Sequence, residues 1–346
     1  MTVRALIVED SLAMQAVIGR ALRADPAIEV VGMAGSADEA RAKIKALDPD
    51  VVTLDIEMPG MNGLDFLERL MRLRPTPVVM LSTLTSRGAE ISLAALEFGA
   101  FDCFDKARLY AAAGMDALPE LTALVRAAAG ARPAAAARPS RAAPHRSGAG
   151  PSYTAQPGSM IAIGSSTGGV EALIALLADF PADCPPTVIT QHMPPSFTSS
   201  FAARLDRLCR PRVEEARSGA PLMPGRVYLA PGGDRHLEIG GVGLRLHCRL
   251  IEGPKVNGHR PSVDRLFHSV ARAAGGMAAG AILTGMGCDG AEGMKAMRAA
   301  GAMTVGQDRA TSVVYGMPAV AFGIGAVVEQ HPLRRIAARL LAECAA

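Results

Sequence analysis

The stretch "RAAAGARPAAAARPSRAAPHRSGAGPSYTAQPGS", residues 126–159, constrains this chain more than any other, because it is built of Ala, Pro, Arg, Gly and Ser with hardly a side chain large enough to enter a core. Such a segment buries too little apolar surface to offset the entropy of ordering it, and it reads as a flexible tether. The 346-residue chain is long for one hydrophobic core and sufficient for two. The expected division is a domain over residues 1–124, a linker over 125–157 and a second domain over 158–346. The same stretch holds five arginines and no Asp or Glu, which more than accounts for the net charge of +3. What remains is slightly acidic, so neither domain offers the basic surface of a nucleic-acid binder.

Hydrophobic residues make up 49% of the chain, yet its apolar runs are cut by Gly, Arg or Asp well short of a membrane span. The start, "MTVRALIVEDS", reaches two acids by residue 10 and lacks the apolar core of a secretory signal. A cytoplasmic, monomeric protein without membrane insertion is expected. The six cysteines are scattered and form no Cys-x-x-Cys pair, which favours reduced thiols over structural zinc.

Ahead of the linker, apolar runs alternate with helical spacing: "ALIVED", "VVGMAGS", "VVTLD", "PVVMLS" and "FDCFDK" read as strands with helices between them. Five strands in this rhythm predict a doubly wound parallel sheet, whose ligands bind beyond the carboxyl ends of the strands. Glu9 and Asp10, Asp55, Ser82 and Lys106 all fall at such ends. Carboxylates gathered on one rim repel unless a cation sits among them, and an oxygen-rich site with open positions suits Mg²⁺. A single polar strand end would signify only contact with solvent; five suitable groups on one rim do not.

The segments "LIVEDS", "VVTLDIEMPGMNGLDFL", "VVMLS" and "GAFDCFDK" resemble the receiver domain of two-component response regulators. That resemblance implies Asp55 as phospho-acceptor, Mg²⁺ held by Glu9, Asp10, Asp55 and the backbone carbonyl of Glu57, and Ser82 and Lys106 on the phosphoryl oxygens. A histidine kinase is the implied phosphodonor. Ala107 stands where receivers usually carry proline after the lysine, and Cys103 where they usually place an aromatic residue three before it.

After the linker the βα rhythm resumes with "MIAIGSSTGGVEALIALL", residues 160–177. No lysine follows the glycines, as a phosphate-binding loop would require, and Ser166 occupies a glycine position of the dinucleotide fingerprint. Gly164-Ser165-Ser166-Thr167-Gly168 does fit a nucleophile elbow, Gly-x-Ser-x-Gly. The competing reading is Ser166 as the N-cap of the next helix. A nucleophilic serine needs a base and an orienting carboxylate at neighbouring strand ends. Of seven histidines, His145 lies in the linker, His268 in a helical pattern, His247 in a strand-like run and His331 beside Pro332. His192 follows an apolar strand and precedes two prolines, on a loop at a strand's carboxyl end; His236 and His259 are reserves in loops. For the carboxylate, "AGAILTGMGCDGAEGMKAM" predicts a second strand, turn and helix carrying Asp289, which could instead be a simple N-cap. That turn also suits backbone N–H groups aimed at an oxyanion. The order Ser, His, Asp differs from that of α/β-hydrolases.

Together, "AIGSSTGGVEAL", "TQHMPPSFTSSFAARL", "YLAPGGDRHL", "HRPSVDRLF", "ILTGMGCDGAEGM" and "TSVVYGMPAVA" resemble the catalytic domain of chemotaxis-type protein-glutamate methylesterases, the CheB family. The resemblance implies hydrolysis of glutamate γ-methyl esters on chemoreceptor cytoplasmic helices and deamidation of receptor glutamines. It assigns Ser166 as nucleophile, His192 as general base, Asp289 as its partner and the Met286 N–H to the oxyanion hole, with no cofactor for the hydrolysis. A DNA-binding output domain would need a basic recognition helix after the linker, and none is present.

Overall fold

The computed structural model describes residues 2–58, 60–83, 86–111, 118–131 and 153–346, and the chain divides into two compact units, Met1–Arg141 and Ala142–Ala346. The first unit runs β1 (Val3–Val8), α1 (Leu12–Arg23), β2 (Ile28–Ala34), α2 (Ala37–Leu47), β3 (Val51–Asp55), α3 (Gly63–Leu73), β4 (Val78–Ser82), α4 (Ser86–Glu97), β5 (Asp102–Asp105), α5 (Lys106–Ala111) and α6 (Pro119–Gly130). Its strands form one parallel sheet in the order β2-β1-β3-β4-β5. β3 and β4 are buried along their whole length, and strands covered on both faces read as unbroken apolar runs rather than alternating ones. Helices begin where the sequence supplies a cap. The side chains of Ser11, Ser36 and Asn62 accept from the N–H groups of Met14, Glu39 and Asp65, which a first helical turn otherwise leaves unpaired.

Helix α6 buries Leu121, Leu124, Val125 and Ala128 and packs on α1 and on strands β1, β3 and β4. It continues past residue 124 because Val125 and Ala128 extend the same apolar face at helical spacing. Residues 125–130 therefore belong to this unit although their composition is that of the linker. At the other end of the expected linker, Tyr153 donates through its hydroxyl to Leu341 O at 2.8 Å, and Ala155 bridges Ala345. Residues 132–152 of the expected linker, with His145, lie outside the described residues.

The second unit runs β6 (Met160–Ser165), α7 (Gly169–Ala178), β7 (Thr187–Gln191), α8 (Pro195–Leu208), β8 (Arg212–Glu215), β9 (Arg226–Leu229), β10 (Arg235–Gly240), β11 (His247–Glu252), α9 (Val263–Ala274), β12 (Ala278–Ile282), α10 (Ala291–Ala299), β13 (Met303–Gln307), α11 (Met317–Gly323), β14 (Glu329–His331) and α12 (Leu333–Glu343). Seven strands form a parallel sheet in the order β14-β13-β12-β6-β7-β9-β8. β10 and β11 stand apart as an antiparallel hairpin. Helix α9 buries Val263, Leu266, Phe267 and Val270 against α10, β6, β10 and β12, each such side chain contributing about 1.5–3 kcal/mol.

Both sheets reverse direction at their first strand: β1 lies between β2 and β3, and β6 between β7 and β12. A reversal opens a crevice outside the carboxyl ends of the strands, the usual ligand position in open α/β sheets. Among the described residues no helix is long and apolar enough to cross a membrane.

Candidate active site

In the first unit the crevice lies between β1 and β3. Glu9 and Asp10 follow β1, Asp55 ends β3, and carboxylate oxygens of all three lie within 4.8 Å of one another. Lys106 Nζ sits 2.8 Å from both Glu9 Oε2 and Asp55 Oδ1. Burial pushes the Glu9 and Asp55 carboxyls above their ordinary values, an effect that Lys106 only partly offsets. Burial acts to lower Lys106 too, but the two carboxylates outweigh it and hold the amine protonated. One lysine cannot neutralise three acids. The hard oxygen donors and the unrelieved repulsion fit a divalent cation.

The other expected members of this rim make bonds of their own. Glu57 donates its N–H to Asp55 Oδ1 at 3.1 Å. Ser82 ends β4, but its hydroxyl donates to Thr83 O at 3.2 Å and accepts from Ser92 Oγ of α4 at 2.9 Å. Cys103 Sγ lies 3.6 Å from Ser92 O, so Ser92 links the two positions. Ala107 donates its N–H to Asp105 Oδ1 at 2.8 Å, a bond that proline could not make. The cis peptide bond among the described residues is Arg260–Pro261.

In the second unit Ser166 follows β6, His192 follows β7 and Asp289 lies on the turn between β12 and α10. These are three adjacent strands, and register fixes their ends: Ile282 pairs with Gly164, and Ser165 with Gln191. Ser166 does not cap α7, whose cap position is Gly168 with φ of 75°. Its own N–H donates to Thr284 O at 3.0 Å, while Thr284 Oγ1 donates to Thr167 O at 3.0 Å, so the two turns are tied together. A Cβ on Gly285, the residue before Met286, would lie 2.8 Å from Ser166 Cβ, so the two turns meet closely there. Gln191 completes the frame: Nε2 donates to the carbonyls of Ser166 (2.9 Å) and His192 (3.0 Å), and Oε1 accepts from Ser165 Oγ at 2.6 Å.

His192 Nε2 lies 2.8 Å from Asp289 Oδ2. Asp289 is not an N-cap of its own helix, where Gly290 stands. It faces the start of α9 instead, accepting from Ser262 Oγ (2.7 Å), Val263 N (2.7 Å) and Asp264 N (3.2 Å). Burial opposes its ionisation, but His192, Ser262 and Val263 outweigh burial and hold its carboxyl far below the usual range. A helix N-terminus favours negative charge in the same way. With Asp289 ionised, the imidazole carries its proton on Nε2. Nδ1 is then the basic atom, and it is buried without a hydrogen-bond partner among the described residues.

The reserve histidines separate cleanly. His236 is buried in β10 with both ring nitrogens engaged: Ser262 N–H donates to Nδ1 at 3.1 Å, and Nε2 donates to Pro254 O at 2.9 Å. Burial lowers its pKa, in keeping with a neutral structural ring. His259 lies stacked on His192, ring centroids 3.7 Å apart and planes within 4°. His247, His268 and His331 lie in β11, α9 and β14. Sequence reasoning missed Ser262, Asn257, Gln191 and Thr284 as parts of this site. The available signals were the Ser-Val-Asp start of α9, a cap-like pattern, and the Asn257-Gly258 dipeptide, a turn signal.

Residues 161–340 match the CheB methylesterase family, and residues 5–111 match the response regulator receiver domain. The chain is 59% identical over 98% of its length and 95% of the other's to an Agrobacterium fabrum protein named protein-glutamate methylesterase/protein-glutamine glutaminase. A Caulobacter vibrioides protein of the same name, numbered 1, is 58% identical over 98% of this chain and 97% of its own. The crystal structure of the Thermotoga maritima CheB methylesterase catalytic domain aligns with a TM-score of 0.52 at 36% identity, covering 54% of this chain and 99% of that one. With relatives matched over 95% or more of both chains and family matches in both halves, the chain belongs to the CheB methylesterase family, in the form that carries a receiver domain ahead of the catalytic one.

Proposed function

We propose that this protein is a phosphorylation-regulated protein-glutamate methylesterase that also deamidates glutamine, acting on the cytoplasmic helices of chemoreceptors in chemotactic adaptation. The observation that carries the mechanism is the His192–Asp289 contact at 2.8 Å, with the other ring nitrogen left unpartnered among the described residues and the His192 backbone N–H donating to Ser165 O at 3.1 Å, next to Ser166. His192 Nδ1 takes the Ser166 proton as Oγ attacks the ester carbonyl, and ionised Asp289 stabilises the imidazolium that forms. The Met286 N–H receives the oxyanion. The carbonyl re-forms, and methanol leaves with the proton from His192. Water then attacks the acyl-enzyme through the same steps, freeing the receptor carboxylate and Ser166. A glutamine substrate follows the same path and releases ammonia. These steps require only groups of the chain and water.

In the receiver, Glu9, Asp10 and Asp55 with the Glu57 carbonyl would hold Mg²⁺, whose charge relieves the repulsion between Asp55 and a phosphoryl group. Asp55 accepts the phosphoryl group from a histidine kinase, and Lys106 and Ser82 contact its oxygens, Ser82 after releasing Thr83 O. The reading places the protein in the cytoplasm, where both partners present their substrates. Methanol release from methylated receptor fragments, with and without a phosphodonor, tests it. Release that survives Ser166→Ala would overturn the nucleophile assignment.

A further inference from the structure

Residues Val256-Asn257-Gly258-His259 form a two-residue turn closed at both ends, with Val256 N–H on His259 O at 3.0 Å and His259 N–H on Val256 O at 2.9 Å. Asn257 and Gly258 have φ of 51° and 82°, the left-handed pair of a type I′ turn, which Asn-Gly adopts at least cost. Such a turn closes through its backbone and needs nothing from its side chains. Here two of them reach the catalytic pair. Asn257 Nδ2 donates to Asp264 Oδ2 at 2.7 Å and to Asp289 Oδ1 at 3.3 Å, while the His259 ring lies flat against His192. The loop is moored from behind. Arg260 donates to Gly233 O (2.9 Å) and Gly253 O (2.8 Å), and His236 Nε2 holds Pro254 O at 2.9 Å.

We propose that the 256–259 turn is a positioning element of the esterase centre, in which Asn257 orients the Asp289 carboxylate and His259 fixes the ring plane of His192. The inference rests on the triad reading above. A hydrogen bond at Nε2 anchors one atom of the His192 ring but leaves the ring free to swing about that bond. A flat ring at van der Waals distance removes the swing and keeps water off one face, so that Nδ1 holds one direction. Asn257 does the same for Asp289, tying the oxygen that does not face His192. Both residues act through the catalytic groups.

The test uses the full-length protein and methanol release from methyl-esterified receptor fragments. His259→Ala is expected to lower kcat by about 10- to 100-fold, the scale of an ångström-level misplacement, with KM changed less than about twofold. His259→Phe keeps a flat ring, carries no proton and is expected to restore most of kcat. Asn257→Gly keeps the left-handed turn, removes the amide and is expected to lower kcat about tenfold at unchanged KM. Melting temperatures are followed throughout, and His259→Phe and Asn257→Gly retain the packing and the turn if the alanine variant does not fold. Wild-type kcat in both His259→Ala and Asn257→Gly would overturn the proposal, as would a His259→Phe enzyme no better than His259→Ala, which would point to proton chemistry at the His259 ring. Ser166→Ala is run alongside: residual turnover there condemns the triad reading itself, whereas an inactive Ser166→Ala beside fully active turn variants overturns only the turn's role.

Discussion

Ser165 and Ser166 are neighbours with opposite duties. Ser165 is fully buried and donates to Gln191 Oε1 at 2.6 Å; Ser166 opens the turn after β6, and the proposed function gives it the attack on the substrate carbonyl. Ser166→Ala should leave the melting temperature nearly unchanged and lower kcat by on the order of 10³ or more, as losses of a triad nucleophile do. Ser165→Ala orphans a buried amide oxygen at a cost of about 1–3 kcal/mol, lowering the melting temperature by several degrees while kcat stays within about tenfold. Thermal unfolding and methanol release on the two variants separate the roles; equal, modest losses from both would refute them. Asp289 gives a prediction with a sign. Its folded pKa lies below the ordinary 3.8, so its contribution to stability is present above that value and is lost only as pH falls through the lower folded value. The stability gap between the wild type and Asp289→Asn should therefore be widest near neutrality and close in strong acid, while kcat of the variant at neutral pH falls by roughly 10⁴, the effect of an imidazole held in the wrong tautomer. A gap that does not narrow in acid unfolding would count against an ionised Asp289. The three catalytic candidates were legible because each follows an apolar run at a strand end. Asn257 and Ser262 were not, and His259 was legible only as a reserve in a loop, since all three arrive from a segment whose place beside Asp289 depends on how α9 packs.

At the scale of elements, the site is two strand-to-helix turns pressed together. Their approach demands glycine where one turn meets the other: a Cβ on Gly285 would lie 2.8 Å from Ser166 Cβ, besides 2.3 Å from Met317 Sδ, and a Cβ on Gly164 in β6 would lie 2.2 Å from Val263 Cγ1 of α9. Methionine can swing aside, but the Ser166 backbone cannot move without carrying the proposed nucleophile with it. Gly285→Ala is thus expected to lower kcat about 10²-fold through misplacement at a cost of about 1–3 kcal/mol from overpacking. Steady-state kinetics set against a melting curve checks whether catalysis suffers more than stability. The β12–α10 turn was legible as a second elbow facing the first. The β10–β11 hairpin was not, because its short runs share their composition with the strands of the parallel sheet, and only pairing partners distinguish the two.

For the whole molecule, the proposed function requires that phosphorylation of Asp55 in the receiver change the chemistry of the other unit. Tenfold activation requires only about 1.4 kcal/mol of coupling between the two sites, within the usual range. A phosphodonor with Mg²⁺ should raise methanol release by the wild type, while Asp55→Asn should keep its basal rate and lose the response; an Asp55→Asn enzyme that still responds would remove Asp55 from the pathway. Mg²⁺ alone should raise the melting temperature of the first unit, since a ligand at about 100 times its Kd stabilises by about 2.7 kcal/mol. Calorimetry with and without the ion reads this directly, and an unmoved transition would argue against a cation among Glu9, Asp10 and Asp55.

Local chemistry was enough to determine the two βα repeats, their parallel sheets and the strand ends where functional groups gather. Apolar runs, caps and glycine turns act over a few residues, and a parallel sheet sends all its carboxyl ends to one edge. What neighbours what along that edge was decided by tertiary structure. The reversal of strand order put β12 beside β6, and with it Asp289 beside His192. The packing of α9 then aimed its N-terminal N–H groups at Asp289, and the 256–259 turn laid His259 on His192. The same holds at the boundary of the first unit, where composition assigns residues 125–130 to the linker but the apolar face of α6 carries them onto the sheet. In each case the deciding energy is burial or hydrogen bonding between segments distant in the chain, which no stretch of sequence contains by itself.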